Sequence, residues 1–548
     1  MSSLKPMLLT CMKTYSREQF VKDVTAGIIV AIIALPLSIA LALASGVGPE
    51  AGIFTAIVAG FVISALGGSS VQIAGPTAAF ATIVAGIVAK NGLDGLVIAT
   101  ILAGIFLILM GLCHFGTLIR FIPYTITTGF TAGIAVTIVI GQLKDFFGVT
   151  YPDGVKPIET MEKLHAFVEN CGTVNLSAVI VGVVSLAILI ISPYIFKKIP
   201  GSLLAVVAGI LMVKFLPLKA STIGDLYSIS NALPGFHLPA LSLAAVKDAI
   251  PNAFTIAVLA AIESLLSCVV ADGMINGKHR SDMELVAQGA GNIASALFGG
   301  IPATGAIART AANIKNGGRT PIAGMVHSIT LVLVLVVLMP YAGMIPMPTI
   351  AAILFVVAYN MCQWRPFAHL IQTAPKSDIL VLLVTFFLTV VFDLVVAIEI
   401  GMLLTCLLFM KRMSDETHVD SWTYVDDDSD AVNDHMQKLA KEIRVYEITG
   451  PLFFGAANAI EHIVVKDFTK CLVLRMRSVP ALDSTAMNAL VDLVEVCESK
   501  GITVVFSHVN EQPMKVMEKA GFTELVGKEN FQPNISAALK RAEEVIAE

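Results

Sequence analysis

Residues 298–318 read FGGIPATGAIARTAANIKNGG, and residues 73–85 read IAGPTAAFATIVA. Both are runs of small residues with a proline near the start, each set in a long apolar stretch. A shift of 227 residues lays Gly75–Ala85 on Pro302–Ala312, so that Thr77 meets Thr304, Ala78 meets Gly305, Ala79 meets Ala306 and Thr82 meets Arg309. The same shift lays Ile33–Gly46 (IALPLSIALALASG) on Ala260–Gly273 (AAIESLLSCVVADG), with Pro36 opposite Glu263. One offset serving two separate segments reads as an internal repeat; chance likeness between Ala/Gly-rich helices is the alternative. Proline costs nothing in a first helical turn, where its missing N–H would have no helical partner. Small residues then let a ligand approach the backbone. A helix N-terminus carries about half a positive charge, and two such ends facing each other would form an anion site.

The composition puts those segments in a membrane. Of 548 residues, 56% are hydrophobic and 14% charged, with a mean hydropathy of +0.81. Globular chains carry about 25% charge, so this one lacks the polar surface to cover itself in water. Disorder, coiled coil and nucleic-acid binding are excluded for the whole chain. The net charge of −5 is uneven: residues 1–412 hold 23 basic against 18 acidic side chains, and residues 413–548 hold 13 against 23. The eight cysteines are scattered without a CxxC pair, which argues for free thiols and against a zinc site.

A spanning helix needs about 20 mainly apolar residues. Uncharged runs start after Asp23 and recur to residue 410; with short helices near Pro76 and Pro302 they make fourteen spans. An even number puts both termini on one side, and fifteen basic residues against seven then obey the positive-inside rule with cytoplasmic termini. Met1–Lys22 has no apolar core, so no cleavable signal is expected. Seven spans separate the repeated segments, so the second copy is inverted. Inverted repeats with short, Gly/Pro-interrupted segments at matching places point to a secondary-transporter binding site.

Two ionisable groups stand out within the spans. Arg309 lies just over a turn into the second short helix and adds a full positive charge to an anion site. Glu263 sits deep in an apolar helix, where an isolated charge costs roughly 2.5–3.5 kcal/mol. It reads as a coupling site that takes a proton or, with Ser267 one turn on, holds Na⁺; a structural Glu–Arg pair is the alternative. Asp393 and Glu399 read as interfacial or gate-packing residues, and Gln288 and Asn292 as bridges between helices. His114, His279 and His327 lack metal-ligand companions, so no metal is expected. No GxSxG, P-loop or GxGxxG motif supports an enzyme or an ATP-driven pump.

After Lys411-Arg412 an acidic segment carries Asp426, Asp427, Asp428 and Asp430. Strands are expected at 443–448, 471–476 and 502–509. Helices are expected over 456–464, in the stretch after Asp483 or Ser484 as cap, and near 511–520 and 533–546. Such alternation predicts a small α/β domain.

Together these residues resemble the SulP anion-transporter family, bacterial relatives of animal prestin and pendrin. The resemblance rests on LPLSIALA (35–42), IAGPTAAF (73–80), AIESLLSCVVADGM (261–274), QGAGN (288–292), the 298–318 stretch, and IxGPLFFG (448–455) with VPALDSTAMNAL (479–490) in a tail resembling a STAS domain. It implies a polytopic α-helical membrane protein, fourteen spans as 7+7 inverted repeats, plus a small cytoplasmic α/β STAS domain. Residues 1–22 would be a cytoplasmic N-terminal segment, 23–412 the transporter, 413–440 an acidic linker and 441–548 the STAS domain. Spans 1–4 and 8–11 would form a core, and spans 5–7 and 12–14 a gate. The resemblance nominates Leu37, Ser38, Thr77, Ala78, Ala79, Phe80, Thr304, Gly305, Ala306 and Arg309 for substrate. It also implies a homodimer in the bacterial inner membrane. Ser484 and Thr485 match the region phosphorylated in anti-sigma-factor antagonists; a plain helix cap is the other role, and a cytoplasmic partner of the tail is a further expectation.

Within the family the wording AIESLL and ATGAIAR is most similar to the branch that takes up C4-dicarboxylates with protons. Cyanobacterial bicarbonate–sodium symporters carry Asp where this chain has Glu263, which favours protons without excluding Na⁺. Bicarbonate or sulfate are the alternative cargoes, and no cofactor is expected beyond the co-transported cation. Other readings are a nucleobase–proton symporter, an anion channel and a membrane-tethered signalling module.

Overall fold

The computed structural model describes residues 4–117, 123–152, 157–195, 200–216, 218–229, 232–239, 242–392, 394–421, 440, 442–455, 460, 463 and 468–548. Asp393, the acidic run 426–430 and most of the helix expected over 456–464 lie outside the described residues. The chain divides into two compact units, Met1–Met402 and Leu403–Glu548. The division falls inside the last long helix, before the expected boundary after Arg412.

The first unit is built from α1 (Arg17–Ala44), α2 (Pro49–Leu66), β1 (Ala74–Gly75), α3 (Ala78–Leu112), α4 (Tyr124–Phe147), α5 (Leu176–Ile195) and α6 (Gly201–Phe215). It continues with α7 (Leu243–Ile275), α8 (Ser281–Leu297), β2 (Thr304–Gly305), α9 (Ile307–Lys315), α10 (Ile322–Ala342), α11 (Met347–Cys362) and α12 (Lys376–Val391), and α13 (Leu394–Asp415) leaves it. Gly92, at φ 71° and ψ −174°, breaks α3 into two helices. With that break the fourteen expected spans map in order onto α1 to α13. Among the described residues, eight helical runs are each long and apolar enough to cross a bilayer, while α6, α8 and α9 have 15, 17 and 9 residues.

The ends of these helices follow local chemistry. Ser16 caps α1 by accepting from Gln19 N at 3.1 Å, so the helix begins six residues before the expected edge at Asp23. Asp23 is fully buried. It accepts from Tyr15 Oη at 3.0 Å, Gln19 Nε2 at 2.9 Å and Arg319 N at 2.9 Å, tying α1 to the loop before α10. Pro49 opens α2, and Ser242 caps α7 by accepting from Ala245 N. Lipid supplies no hydrophobic drive between helices, so small residues set how closely they pack. At the α3–α8 crossing, Gly104 and Gly289 face each other, and a Cβ on either would meet the other's carbonyl oxygen. In this unit α8 packs on α3 and α2, and α10 packs on α1 and α2. Among the other helices, α11 packs on α4 and α5, and α12 packs on α4.

The second unit holds a five-stranded sheet in the order β3 (His418–Ser421), β4 (Ile443–Thr449), β5 (Cys471–Ser478), β6 (Thr503–Ser507) and β7 (Phe531–Gln532). Strands β4 to β7 are parallel, and β3 runs antiparallel along β4 from His418↔Thr449. Residues 418–421, expected within the linker, are therefore an edge strand. One sheet face packs Leu472, Leu474 and Phe506 under α14 (Ser484–Ser499), which supplies Met487 and Leu490, and α15 (Glu511–Lys519), which supplies Met517. The other packs Val445, Val473 and Val505 on Ala538 and Ala542 of α16 (Ile535–Ala547). Covered on both faces, β5 reads as a continuous apolar run, as expected for a parallel sheet.

Burial pushes the Cys471 thiol up to about 12, against the pull of Arg541, and the Cys497 thiol up to about 11. At pH 8 neither presents a thiolate, which is the reactive form. A thiolate-directed reagent should label exposed Cys171 and leave Cys471 and Cys497 untouched until the domain unfolds. Mass-spectrometric mapping of the labelled peptides checks this, and early modification of Cys471 would contradict the buried position.

Candidate anion-binding site

The two interrupted segments meet. Ala74 pairs with Gly305 and Gly75 with Thr304 in an antiparallel two-stranded ladder. Helices α3 and α9 start within three residues of the strands they follow. The strand pairing therefore brings their N-termini near one another, each with the partial positive charge of open N–H groups.

Neither end is capped from within. Thr77 is the N-cap of α3, in extended conformation, and makes no side-chain cap. Its Oγ1 instead donates to Glu263 Oε2 at 2.8 Å. The N-cap of α9 is Ala306, which has no side chain able to cap. Arg309 is 2% exposed. Its Nη2 donates to Pro76 O at 3.0 Å, while its Nε and Nη1 are buried without a partner. A Cβ on Gly75 would overlap Nη1, so glycine there keeps the guanidinium beside the ladder. No ion pair joins Glu263 to Arg309: the carboxyl belongs to the α3 end and the guanidinium to the Pro76 carbonyl. The structural Glu–Arg pair considered from sequence is not formed.

The other nominated residues take distinct places. Ser38 is fully buried with Oγ unpartnered, and Leu37 beside it is half-buried. Ala78, Ala79 and Phe80 are buried in the first turn of α3. Thr304 Oγ1 donates to Ala260 O at 3.1 Å and is already used in holding β2 to α7. Ser267 Oγ donates to Thr310 Oγ1 at 3.4 Å, which in turn accepts from Ile73 N at 3.0 Å. Thr310 was missed from sequence because one Thr in an Ala-rich helix carries no signal. Among the described residues Asn292 bonds no other helix; it bonds Ala303, in the segment before β2, in both directions at 2.8 and 2.9 Å, and Gln288 donates to Glu284 of its own helix at 2.9 Å. No group of three or more potential metal ligands occurs among the described residues. In the tail Asp483, not Ser484, caps α14 by accepting from Ala486 N at 2.9 Å, leaving Ser484 and Thr485 exposed.

Two neighbouring helix N-termini and a buried guanidinium with two unpartnered donor nitrogens suit a small oxyanion held by N–H groups. The sulfate permease family matches residues 20–385, and the STAS domain family matches residues 437–538. The chain belongs to the sulfate permease (SulP) family. It is an anion transporter of that type, with a C-terminal STAS domain.

Among SulP relatives, a putative sulfate transporter, YvdB, of Bacillus subtilis is 39% identical, covering 95% of this chain and 97% of its own length. The bicarbonate transporter BicA of Picosynechococcus is 31% identical, covering 95% and 94%. The solved transmembrane domain of a cyanobacterial BicA is 30% identical, with a TM-score of 0.63 over 70% of this chain and 98% of that one. Murine Slc26a9 in an inward-facing state shares the fold, with a TM-score of 0.87 over 99% and 94% at 18% identity.

Proposed function

We propose that this SulP protein is a secondary active carrier that takes up a C4-dicarboxylate together with protons, the anion sitting between the N-termini of α3 and α9. The observation that carries this reading is the Thr77–Glu263 hydrogen bond. It places an acid against the same helix end that would receive the substrate. A carboxylate there repels an incoming anion, and a protonated Glu263 does not. Proton and anion therefore favour each other's binding, and that reciprocal coupling is what symport needs. In this reading Arg309 and the backbone N–H groups bind the anion, Leu37, Ser38, Phe80 and Ala306 shape its space, and Glu263 exchanges the proton. Ser267 acts through Thr310. The carrier works as a homodimer in a bacterial inner membrane with both termini cytoplasmic, and the STAS domain offers Ser484 and Thr485 to a cytoplasmic partner.

The relationship to BicA supports a second cargo, bicarbonate; were Na⁺ to take the proton's place the same linkage would apply, since any cation neutralising Glu263 removes the repulsion. Labelled succinate uptake into proteoliposomes, with and without an inward proton gradient, tests the first reading. Saturable, proton-stimulated uptake is expected. Absence of succinate uptake in folded protein would discard the dicarboxylate and leave bicarbonate with Na⁺, then sulfate, to be tried in the same vesicles.

A further inference from the structure

Helix α8 carries a polar stripe that the site itself does not use. Glu284, Gln288, Asn292 and Ser295 lie on one helical face, spaced four, four and three residues apart, and all are fully buried. Glu284 grips the loop that leads into β1: its Oε2 accepts from Gly68 N at 2.9 Å and Ser69 N at 3.1 Å. Its Oε1 accepts from Gln72 Nε2 at 2.8 Å and Gln288 Nε2 at 2.9 Å. Two turns along, Asn292 clamps Ala303 in both directions, immediately before β2, and Ser295 Oγ donates to Ile301 O at 2.8 Å. Gln72 links the two grips. Its amide fills the space that a side chain on Gly305 would need, and its Oε1 accepts from Cys268 Sγ at 2.9 Å on α7, the helix of Glu263.

One face of one helix therefore holds both loops from which the anion-binding helix ends spring. A carboxylate only accepts hydrogen bonds, and four donors satisfy it; a neutral amide in its place would turn two N–H groups toward other donors. We propose that Glu284 and Asn292 are positioning residues, which hold the loops into β1 and β2 at a set separation and thereby fix how tightly, and how selectively by size, the cradle takes an anion. This rests on the reading that the anion sits between the N-termini of α3 and α9.

The test is thermal unfolding of the full-length protein in detergent, titrated with sulfate, bicarbonate and succinate, alongside uptake of the same anions into proteoliposomes. Wild type, Glu284→Gln and Asn292→Asp are compared. Glu284→Gln should weaken apparent affinity for the preferred anion about tenfold, equivalent to ~1.4 kcal/mol. It should raise KM more than it lowers Vmax, and shrink the ratio between the preferred anion and the next. Asn292→Asp, which loses the donor to Ala303 O, should act in the same direction. Folded variants with wild-type affinity and wild-type selectivity overturn the proposal, as does a fall in Vmax alone, which scaffolding without positioning would produce. Should neither variant fold, Gln72→Met removes the link between the grips while leaving Gly68 and Ser69 held, and the same readouts decide. A wild type that answers sulfate or bicarbonate but not succinate defeats only the dicarboxylate cargo, and the ratios still judge α8. A wild type that answers none of the three overturns the anion site and this inference with it.

Discussion

Replacing Arg309 by alanine should raise the apparent KM for the transported anion by roughly a hundredfold, the equivalent of about 3 kcal/mol. The guanidinium is buried in a span and uses only one of its nitrogens, Nη2, on the protein; Nε and Nη1 have no partner. Hydrogen bonds to a charged group are worth about 1.5–3 kcal/mol each, and two free donors aimed at one oxyanion account for the expected loss. Arg309→Lys keeps the charge but not the planar fork, so it should recover part of the affinity and favour a smaller anion. Concentration dependence of uptake measures both. An unchanged KM in folded Arg309→Ala protein would confine the residue to holding Pro76.

The second large effect is expected from Glu263→Gln. Glutamine fits the same space and its carbonyl can still accept from Thr77 Oγ1, so the α3 end stays in place. It cannot gain or lose a proton. Exchange of internal for external anion should continue, while accumulation driven by a proton gradient should disappear. At one proton per anion a one-unit pH gradient drives about tenfold accumulation, the equivalent of ~1.4 kcal/mol, so the wild type and the variant differ by that factor at steady state. Gradient-driven accumulation that survives in Glu263→Gln would remove the carboxyl from the coupling step. If Na⁺ rather than H⁺ is the partner, the same variant loses its response to a sodium gradient instead.

Much of the architecture is legible because membranes restrict what a chain can do. Long apolar runs broken by Pro and Gly announce their helices, and β4, β5 and β6 show the apolar character of buried strands. Strands β3 and β7 escape because four and two residues carry no pattern. Arg309 and Glu263 are legible since a charge inside a span must be explained. That the two interrupted segments pair through their backbones is not legible, because two-residue strands in Ala, Gly and Thr segments carry no pattern; the Ala74–Gly305 ladder shows it. Glu284 is overlooked for a different reason. It stands at the edge of an apolar run, where an acid looks like an ordinary helix end, and its worth depends on four donors, three of them from residues more than two hundred positions away.

The two halves of the site are joined by main-chain pairing between β1 and β2, alongside the side-chain bonds of Arg309 and Thr310. Backbone bonds are indifferent to residue identity, so side chains facing the anion can change while the join between the halves persists. Such a scaffold can be retuned by substitution without being rebuilt. That freedom accords with relatives of 39% and 31% identity named for different cargoes, sulfate and bicarbonate: the lineage can drift in what it carries while keeping how it carries.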